Sequence, residues 1–266
     1  MTGRNAPRVS VLMSVRDGMP WLEGAIASIL GQTLADLELI VLDDGSRDGT
    51  GRFLGSLQDP RLRVLHQSPV GLTASLNRAL ARSKASLIAR LDADDFAVPE
   101  RLARQVAFLD SHPDVGVLGS AAREVDPQGR ELDIVRPPLD DAAIRRTLIR
   151  RNPFVHSTVV VRRAVLDRSG GYDERLAVAQ DYDLWMRLAP LTTLANLPDA
   201  LVIRRLLPGR VSATRDGERL RTEARVRWRA VGRGDYPWWC AVYAARPALA
   251  LALPSPLRRL IRGMRW

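Results

Sequence analysis

From Arg8 to Leu109, short apolar runs alternate with helical periodicities, and this alternation restricts the fold more than any other feature of the chain. Val9, Val11, Met13 and Val15 alternate along a β-rich run, as the inward face of a strand does. Trp21 to Leu30 then places Leu22, Ile26, Ile29 and Leu30 at helical spacing. Leu37 to Leu42 is a continuous apolar strand once Glu38 is excepted. Thr50 to Ser56 predicts a second helix, Leu62 to Leu65 a third strand, Leu72 to Ala81 a third helix and Leu87 to Leu91 a fourth strand. Strand and helix in strict alternation predict an α/β fold with a mainly parallel central sheet, flanking helices and right-handed crossovers. Ligands of such sheets bind beyond the carboxyl ends of the strands. The second strand runs into Asp43-Asp44-Gly45-Ser46 and the fourth into Asp92-Ala93-Asp94-Asp95, so both acid groups are expected at one crevice.

If the fourth strand continues through its acids, Asp92 and Asp94 lie two apart on an extended backbone and point to the same side. Two hard oxygen ligands there suit a divalent cation that also holds a phosphate. The residues alone leave a second reading open. In it Asp95 caps the helix opening near Pro99, and the other acids are solvated turn residues.

Downstream, Pro99 to Leu109 predicts a helix, Val115 to Ala121 a strand, and residues 123 to 139 a hairpin and loop over the sheet. Ala142 to Ile149 predicts a helix, and Ser157 to Val161 a β run entered through Asn152-Pro153-Phe154-Val155-His156. Ala179 to Leu188 predicts a helix with Asp181 in its first turn, and a last strand is expected within Asn196 to Leu207. No Gly/Ser-rich linker or repeat divides the body, so one domain is expected over residues 1–214, followed by a basic, amphipathic helical extension over 215–266.

The net charge of +10 suggests a nucleic-acid binder until it is located. From Arg215 onward there are twelve arginines and four acids, leaving only +2 on the body. Tracking phosphates needs a basic face on the body, and no aromatic stacking stretch is present, so no nucleic acid is expected as a partner. Trp238 to Leu253 is apolar, but Arg246-Pro247 interrupts it and it falls short of the ~20 residues that span a bilayer. Leu257, Leu260, Ile261 and Met264 follow at helical spacing, with Arg258, Arg259, Arg262 and Arg265 between them and Trp266 at the end. That is the pattern of an interfacial helix drawn to anionic lipid. A helix packed on the domain or on a partner subunit is the alternative. The single cysteine, Cys240, excludes an internal disulfide and a Cys-rich metal site and fits a reducing compartment, and Met1 to Pro7 shows no signal-peptide pattern.

Several blocks, in order, resemble a known family. They are Val9-Ser10-Val11-Leu12-Met13-Ser14-Val15, Ala27-Ser28-Ile29-Leu30-Gly31-Gln32-Thr33, Leu39-Ile40-Val41-Leu42-Asp43-Asp44-Gly45-Ser46, Gly71-Leu72, Asn77 and Ile88-Ala89-Arg90-Leu91-Asp92-Ala93-Asp94-Asp95. Asn152-Pro153-Phe154-Val155-His156-Ser157-Thr158, Gly170-Gly171-Tyr172-Asp173 and Asp181-Tyr182-Asp183-Leu184-Trp185 complete the set. Together they are similar to the family 2 glycosyltransferases of the GT-A fold, over nearly all of residues 8–212.

The resemblance implies transfer of a sugar from a nucleotide-diphosphate sugar, a UDP or dTDP sugar favoured, to the hydroxyl of a glycan or lipid-linked acceptor. It implies inversion at the anomeric carbon, a role in cell-surface polysaccharide or glycolipid synthesis, and work on the cytoplasmic, inner face of the cell membrane. Mn²⁺ or Mg²⁺ is the implied cofactor, with Asp94 the metal-contacting acid and Asp92 close to the metal and the ribose. Asp44 would hold base or ribose, beside the backbone of Val15 and Arg16; Asn77, Arg90, Ala93 and Arg204 complete the implied donor-binding set. Asp181 resembles the catalytic base, and His156, Tyr172 and Trp185 fall on the acceptor side. The chain departs from the family in three places. Arg16-Asp17 stands where Tyr-Asn is frequent, Gln180 where a Glu often precedes the base, and Ile203 and Leu206 in a closing loop that often reads Tyr-Arg-x-His. With that His lost, Arg204 or Arg205 is left to neutralise phosphate. His66 and His112 read as structural.

Two other classes remain to be weighed. A sugar nucleotidyltransferase needs a Gly-rich, basic loop after the first strand, and Ser14 to Pro20 has one Gly and one Arg. A catalytically degenerate nucleotide-sugar-binding or membrane-docking protein would keep the fold without the chemistry.

Overall fold

The computed structural model describes residues 6–207 and 215–251. Its first half follows the alternation: β1 (Val9–Val15), α1 (Leu22–Leu30), β2 (Leu37–Asp43), α2 (Thr50–Ser56), β3 (Leu62–His66), α3 (Leu72–Arg82) and β4 (Leu87–Arg90). These strands lie parallel in the order β3-β2-β1-β4, so the carboxyl ends of β1, β2 and β4 share one edge. Then come β5 (Phe96–Ala97), α4 (Arg101–Ser111), β6 (Val115–Val125), β7 (Glu131–Val135), α5 (Asp141–Leu148), β8 (Val160–Arg162), α6 (Arg163–Ser169), α7 (Gln180–Leu188) and β9 (Thr193–Arg205). The sheet continues from β4 through β8, β6 and β9 to β5, with β8 antiparallel to both neighbours and β7 hairpinned onto β6. Two further helices close the described chain, α8 (Asp216–Gly232) and α9 (Ala241–Leu251).

Period-2 alternation builds two cores from one sheet. Val9, Val11, Met13, Leu39, Val41 and Ala89 face α1, α2 and α4, where Ile26, Leu54 and Leu102 meet them. Leu12, Ile40 and Ile88 face the other way, into a core shared with Leu76 of α3, Leu148 of α5, Trp185 of α7 and Val226 of α8. Glu38, the exception in the apolar run of β2, is buried on this second face opposite Ser10 of β1. Its carboxylate accepts from Ser10 Oγ at 2.6 Å and from Lys84 N at 2.7 Å, while Ser10 Oγ accepts from Ala85 N at 3.0 Å. The two side chains thereby tie the segment that leads into β4 to the start of the sheet.

Four expectations change. The fourth strand stops at Arg90, and Asp95 N bonds Asp92 O at 3.2 Å to close a turn, so Asp92 and Asp94 do not share a side by strand alternation. The strand ends there because β8, its antiparallel neighbour, begins at Val160 opposite Ala89, and the 3₁₀ turn His156–Thr158 before it offers no further ladder. Asp95 caps no helix: α4 begins after Glu100, and Asp95 Oδ1 instead accepts from Arg205 N at 2.9 Å. Residues His156–Thr158 form a single 3₁₀ turn where a strand was expected, and α6 follows β8 without a break. Lastly, α9 runs through Pro247 instead of breaking there. Proline cannot donate to the carbonyl four residues back, and Arg227 of α8 takes that Tyr243 carbonyl at 3.1 Å.

Among the described residues no helix is long and apolar enough to cross a membrane. The interfacial pattern at Leu257 to Trp266 lies outside the described residues, as do residues 208–212 of the closing loop.

Removing the Glu38 carboxylate leaves Lys84 N and Ser10 Oγ without their acceptor inside the protein. Glu38→Ala is expected to cost about 3 kcal/mol of folding free energy in urea titrations. A loss under about 1 kcal/mol would show that water reaches the site and replaces the carboxylate.

Candidate active site

The edge at which β1, β2 and β4 end is laced together by its own loops. Asp17, held at φ 53°, accepts from Arg47 N at 2.7 Å, and Gly18 N donates to Thr50 Oγ1 at 2.9 Å. Val15 is buried and its carbonyl accepts from Asp44 N at 2.8 Å, whereas Arg16 is exposed at the rim. Asp44 is buried, and its carboxylate accepts from Gln67 Nε2 at 2.7 Å, Val70 N at 2.8 Å and Gly71 N at 2.8 Å. Burial works to raise its pKa, but these bonds outweigh it and hold the carboxyl below the usual value. With Ser75 also beside it, the roughly four acceptor positions of this carboxylate are taken up by its own surroundings.

The turn after β4 gathers Asp92, Asp94 and Asp95 over buried arginines. Arg90 donates to the Leu91 carbonyl and to Asp92 Oδ1. Ser157 Oγ donates to Asp92 Oδ2 at 2.8 Å and accepts from Asp92 N at 3.1 Å. Partial burial opposes the charge of Asp92, but Arg90, then His156 and Ser157, prevail and hold its pKa at about 2. Asp94 is pushed up to about 6 by burial and then by Asp92, and Asp95 to about 7 by burial and then by Asp92 and Asp94. Arg101, fully buried, donates to the Arg90 carbonyl at 2.8 Å, and burial lowers its pKa to about 9.

A cavity of about 740 Å³ opens from Asp92 away from the ends of β1 and β2. Its lining includes Asp92, Ser157, Asp181, Asn152, His156 and Arg204 of β9. Asp181 therefore shares a cavity with Asp92, though 89 positions separate them in the chain. The left-handed residue before α7, Ala179 at φ 56°, turns the helix start so that Asp181 falls in its first turn. Asn152 Nδ2 donates to Asp181 Oδ2 at 2.7 Å, and Asn152 Oδ1 accepts from Phe154 N at 3.1 Å. The backbone bond fixes which way the amide faces, so the NH₂ must point at the carboxylate. Arg204 pairs with Glu124 at 3.0 Å and acts on both Asp92 and Asp94. Arg205 turns elsewhere, its guanidinium 4.1 Å from the ring centre of Trp21.

The remaining expected residues support the site from behind. His156 lines the cavity and its Nε2 lies 2.9 Å from Tyr172 Oη. Burial first, and Arg90 second, lower its pKa to about 4, so the ring is neutral at pH 7. Tyr172 is itself positioned by Asn77, whose amide accepts from Tyr172 N at 2.9 Å and donates to Tyr172 O at 2.8 Å. Trp185 is fully buried and packs behind Phe154 and His156 at ring distances of 5.4 and 6.1 Å. Arg90 is likewise buried beneath Asp92.

Three contributors were not singled out from the sequence. Asn152 and Ser157 sit inside a quoted block, but only the fold shows that one meets Asp181 and the other Asp92. The third is α8, which sends Arg219 and Glu223 into the cavity wall. Arg227 of α8 anchors it, donating to Tyr182 Oη at 2.8 Å and to Arg150 O at 2.9 Å. Its helical pairs Arg219–Glu223 and Glu223–Arg227 were legible, but not the face they turn inward.

Among the described residues no group of three or more His, Cys, Asp and Glu side chains is placed to hold a metal ion. Asp92 and Asp94 nevertheless form a two-carboxylate donor set in which one acid raises the other, a strain that a bound cation relieves. That set fits Mg²⁺ or Mn²⁺, which take one or two carboxylates and complete their shell with water and phosphate oxygens.

Residues 10–170 match the family described as "Glycosyl transferase family 2". The amylovoran biosynthesis glycosyltransferase AmsE of Erwinia amylovora is 32% identical over 209 residues, covering 77% of this chain and 78% of that one. Staphylococcus aureus TarS 1–349, solved with UDP-GlcNAc, superposes with a TM-score of 0.68 at 22% identity, over 82% of this chain and 66% of that one. The mannosyltransferase PcManGT of Pyrobaculum calidifontis, solved with GDP-Man and Mn²⁺, gives 0.67 at 21% identity, over 97% of this chain and 79% of that one. The two structures establish a GT-A-like fold, with a curled, mostly parallel sheet between flanking helices. The matched blocks, their order along the chain and the meeting of Asp92 and Asp181, though not of Asp44 or Asp94, on one cavity have a common source: the chain belongs to glycosyl transferase family 2.

Proposed function

We propose that the protein is an inverting, metal-assisted glycosyltransferase that moves a sugar from a nucleoside-diphosphate donor to an acceptor hydroxyl. Its place in this reading is the synthesis of a cell-surface glycan on the inner face of the membrane. The observation that carries it is the shared cavity, whose lining includes Asp92, Asp181 and Arg204. AmsE, named for amylovoran biosynthesis, supports a glycan product. The UDP-GlcNAc in TarS and the GDP-Man in PcManGT support a nucleotide-sugar donor, with UDP or dTDP sugars favoured here.

In this reading the donor lies along the ends of β1, β2 and β4, its base near Val15, Arg16 and Asp44 and its diphosphate by Asp92, Ala93, Asp94 and Arg204. Asp94 and Asp92 would hold a divalent cation, which would supply charge stabilisation to the departing diphosphate. Arg204 adds a second positive charge on the same side. The acceptor hydroxyl attacks the anomeric carbon from the opposite face, beside Asp181. As the new C–O bond forms, its proton passes to the Asp181 carboxylate, and the electron pair of the breaking C–O bond leaves with the diphosphate. Asn152 holds one oxygen of Asp181, so the other faces the acceptor. His156 and Tyr172, neutral and paired, line the acceptor side without adding charge.

Asp181→Asn is expected to lower transfer by about 10²- to 10⁴-fold while leaving donor binding intact, measured by nucleoside-diphosphate release and calorimetry. Undiminished transfer by that variant removes Asp181 as the base. Asp94→Asn should abolish the Mn²⁺-dependent rise in melting temperature across a panel of UDP, dTDP and GDP sugars; a rise equal to that of the unaltered chain would show the cation, if any, to be held elsewhere. Asn152→Asp keeps the acceptor for Phe154 N but cannot donate to Asp181, so turnover at pH 8 should fall at least about tenfold with donor affinity unchanged. Full turnover would mean that Asn152 serves the backbone alone.

A further inference from the structure

The outer face of α8 is unlike its inner one. Thr222, Val226, Arg227 and Ala230 are buried, and Arg219 and Glu223 reach the cavity. Arg221, Arg225, Trp228 and Arg229, spaced at i, i+4, i+7 and i+8, form one exposed stripe. The acids of this helix pair with Arg215, Arg219 and Arg227, which leaves the three arginines of the stripe without a carboxylate partner among the described residues. Beyond the helix, the short turn Trp238–Cys240 buries its cysteine and turns its indoles outward. Trp238 is 83% exposed, Trp239 53%, Trp228 52% and Val242, on the first turn of α9, 54%. Indole is the side chain of the membrane–water boundary, where its ring enters the acyl margin and its N–H meets the headgroups.

We infer that Trp228, Trp238, Trp239 and Val242, flanked by Arg221, Arg225 and Arg229, form the face on which the protein docks to an anionic lipid bilayer. The inference rests on the proposed membrane location and gives it a surface among the described residues. Charge selects the occupant. Unpaired arginines beside exposed indoles match a surface that offers phosphate on the outside and hydrocarbon within. The chain's own residues 252–266 carry four arginines and no acid, so they would bring like charge to the stripe. A second copy of the face would do the same across a two-fold axis. The position also has a use: the helix that lies on the lipid turns its other side to the cavity, so docking would hold the cavity that contains Asp181 beside the bilayer.

The test uses the full chain and vesicles of phosphatidylcholine with and without about 30% phosphatidylglycerol. The unaltered protein should partition onto the anionic vesicles with a blue shift of tryptophan emission, and should be released by salt. Trp238→Ala with Trp239→Ala, and separately Arg221→Glu with Arg225→Glu and Arg229→Glu, should each reduce partitioning at least about tenfold. Donor turnover in solution should persist in the tryptophan variant, since neither residue lines the cavity. Unchanged partitioning by both variants overturns the assignment, as does loss only when Arg258, Arg259, Arg262 and Arg265 are changed to Glu. Sedimentation equilibrium supplies another overturning result, a dimer of the unaltered chain that the tryptophan variant dissolves. If the unaltered chain binds neither vesicle, the membrane location falls as well. Absent donor turnover alongside normal partitioning would instead remove the proposed chemistry and leave the docking face standing.

Discussion

Burial of Arg90 beneath three carboxylates is the constraint on which the site depends. A guanidinium stripped of water is tolerated only where its charge is answered and its protons are accepted. Arg90 meets the first condition through Asp92 and the second only in part: it donates to the Leu91 carbonyl and to Asp92, while its Nε is buried without a partner, and Arg101 below it takes the Arg90 carbonyl and feels the charge of Asp95. The arrangement ends β4 where it does, because the chain must turn at once to bring its acids over the cations. It also divides labour among acids adjacent in sequence. Asp92 is locked in its charged form, Asp94 is lifted toward neutrality, and Asp95 is enclosed and tied to the backbone of Arg205.

The far end of the cavity is organised on a different principle. Asp181 has no arginine beneath it. Its orientation comes from a neutral donor, Asn152, whose own direction is set by a backbone N–H, and from the left-handed turn at Ala179. A neutral partner fixes geometry without neutralising charge, which suits the role of proton acceptor proposed for Asp181. Single residues in the left-handed region carry a cost of about 1–3 kcal/mol, and such strain gathers where position matters more than stability.

Much of this was legible in the sequence. The parallel half of the sheet follows from alternation in β1, β2 and β4, and the edge that carries the acids follows from parallel topology. The order of the blocks brought Asp92 and Asp181 into one account before any coordinates. What could not be read was how groups distant in the chain answer each other. Strand alternation suggests that Asp92 and Asp94 point the same way, but β8 begins only opposite Ala89, and without that neighbour the chain turns after β4. Pro247 looked like a helix breaker, and only Arg227, twenty residues earlier, removes the penalty by taking the Tyr243 carbonyl. Asn77 and Trp185 sit in recognisable blocks, yet they act one layer back, through Tyr172 and His156. Each miss is a long-range hydrogen bond or packing contact that local propensity does not encode.

The latch formed by Arg227 and Tyr182 has a consequence for how such a protein diversifies. The family match ends at residue 170, and α8 begins at Asp216. The stretch that matches the family and the helix that lends Arg219 and Glu223 to the cavity are thus separate in sequence, and the helix is docked by Val226 and Ala230 in the shared core and by Arg227, which reaches Arg150 inside the matched stretch and Tyr182 beyond it. A helix docked in this way can vary Arg219 and Glu223, its inward positions, while its anchors stay in place. Under the proposed function, selectivity for the molecule that receives the sugar becomes an interchangeable cassette.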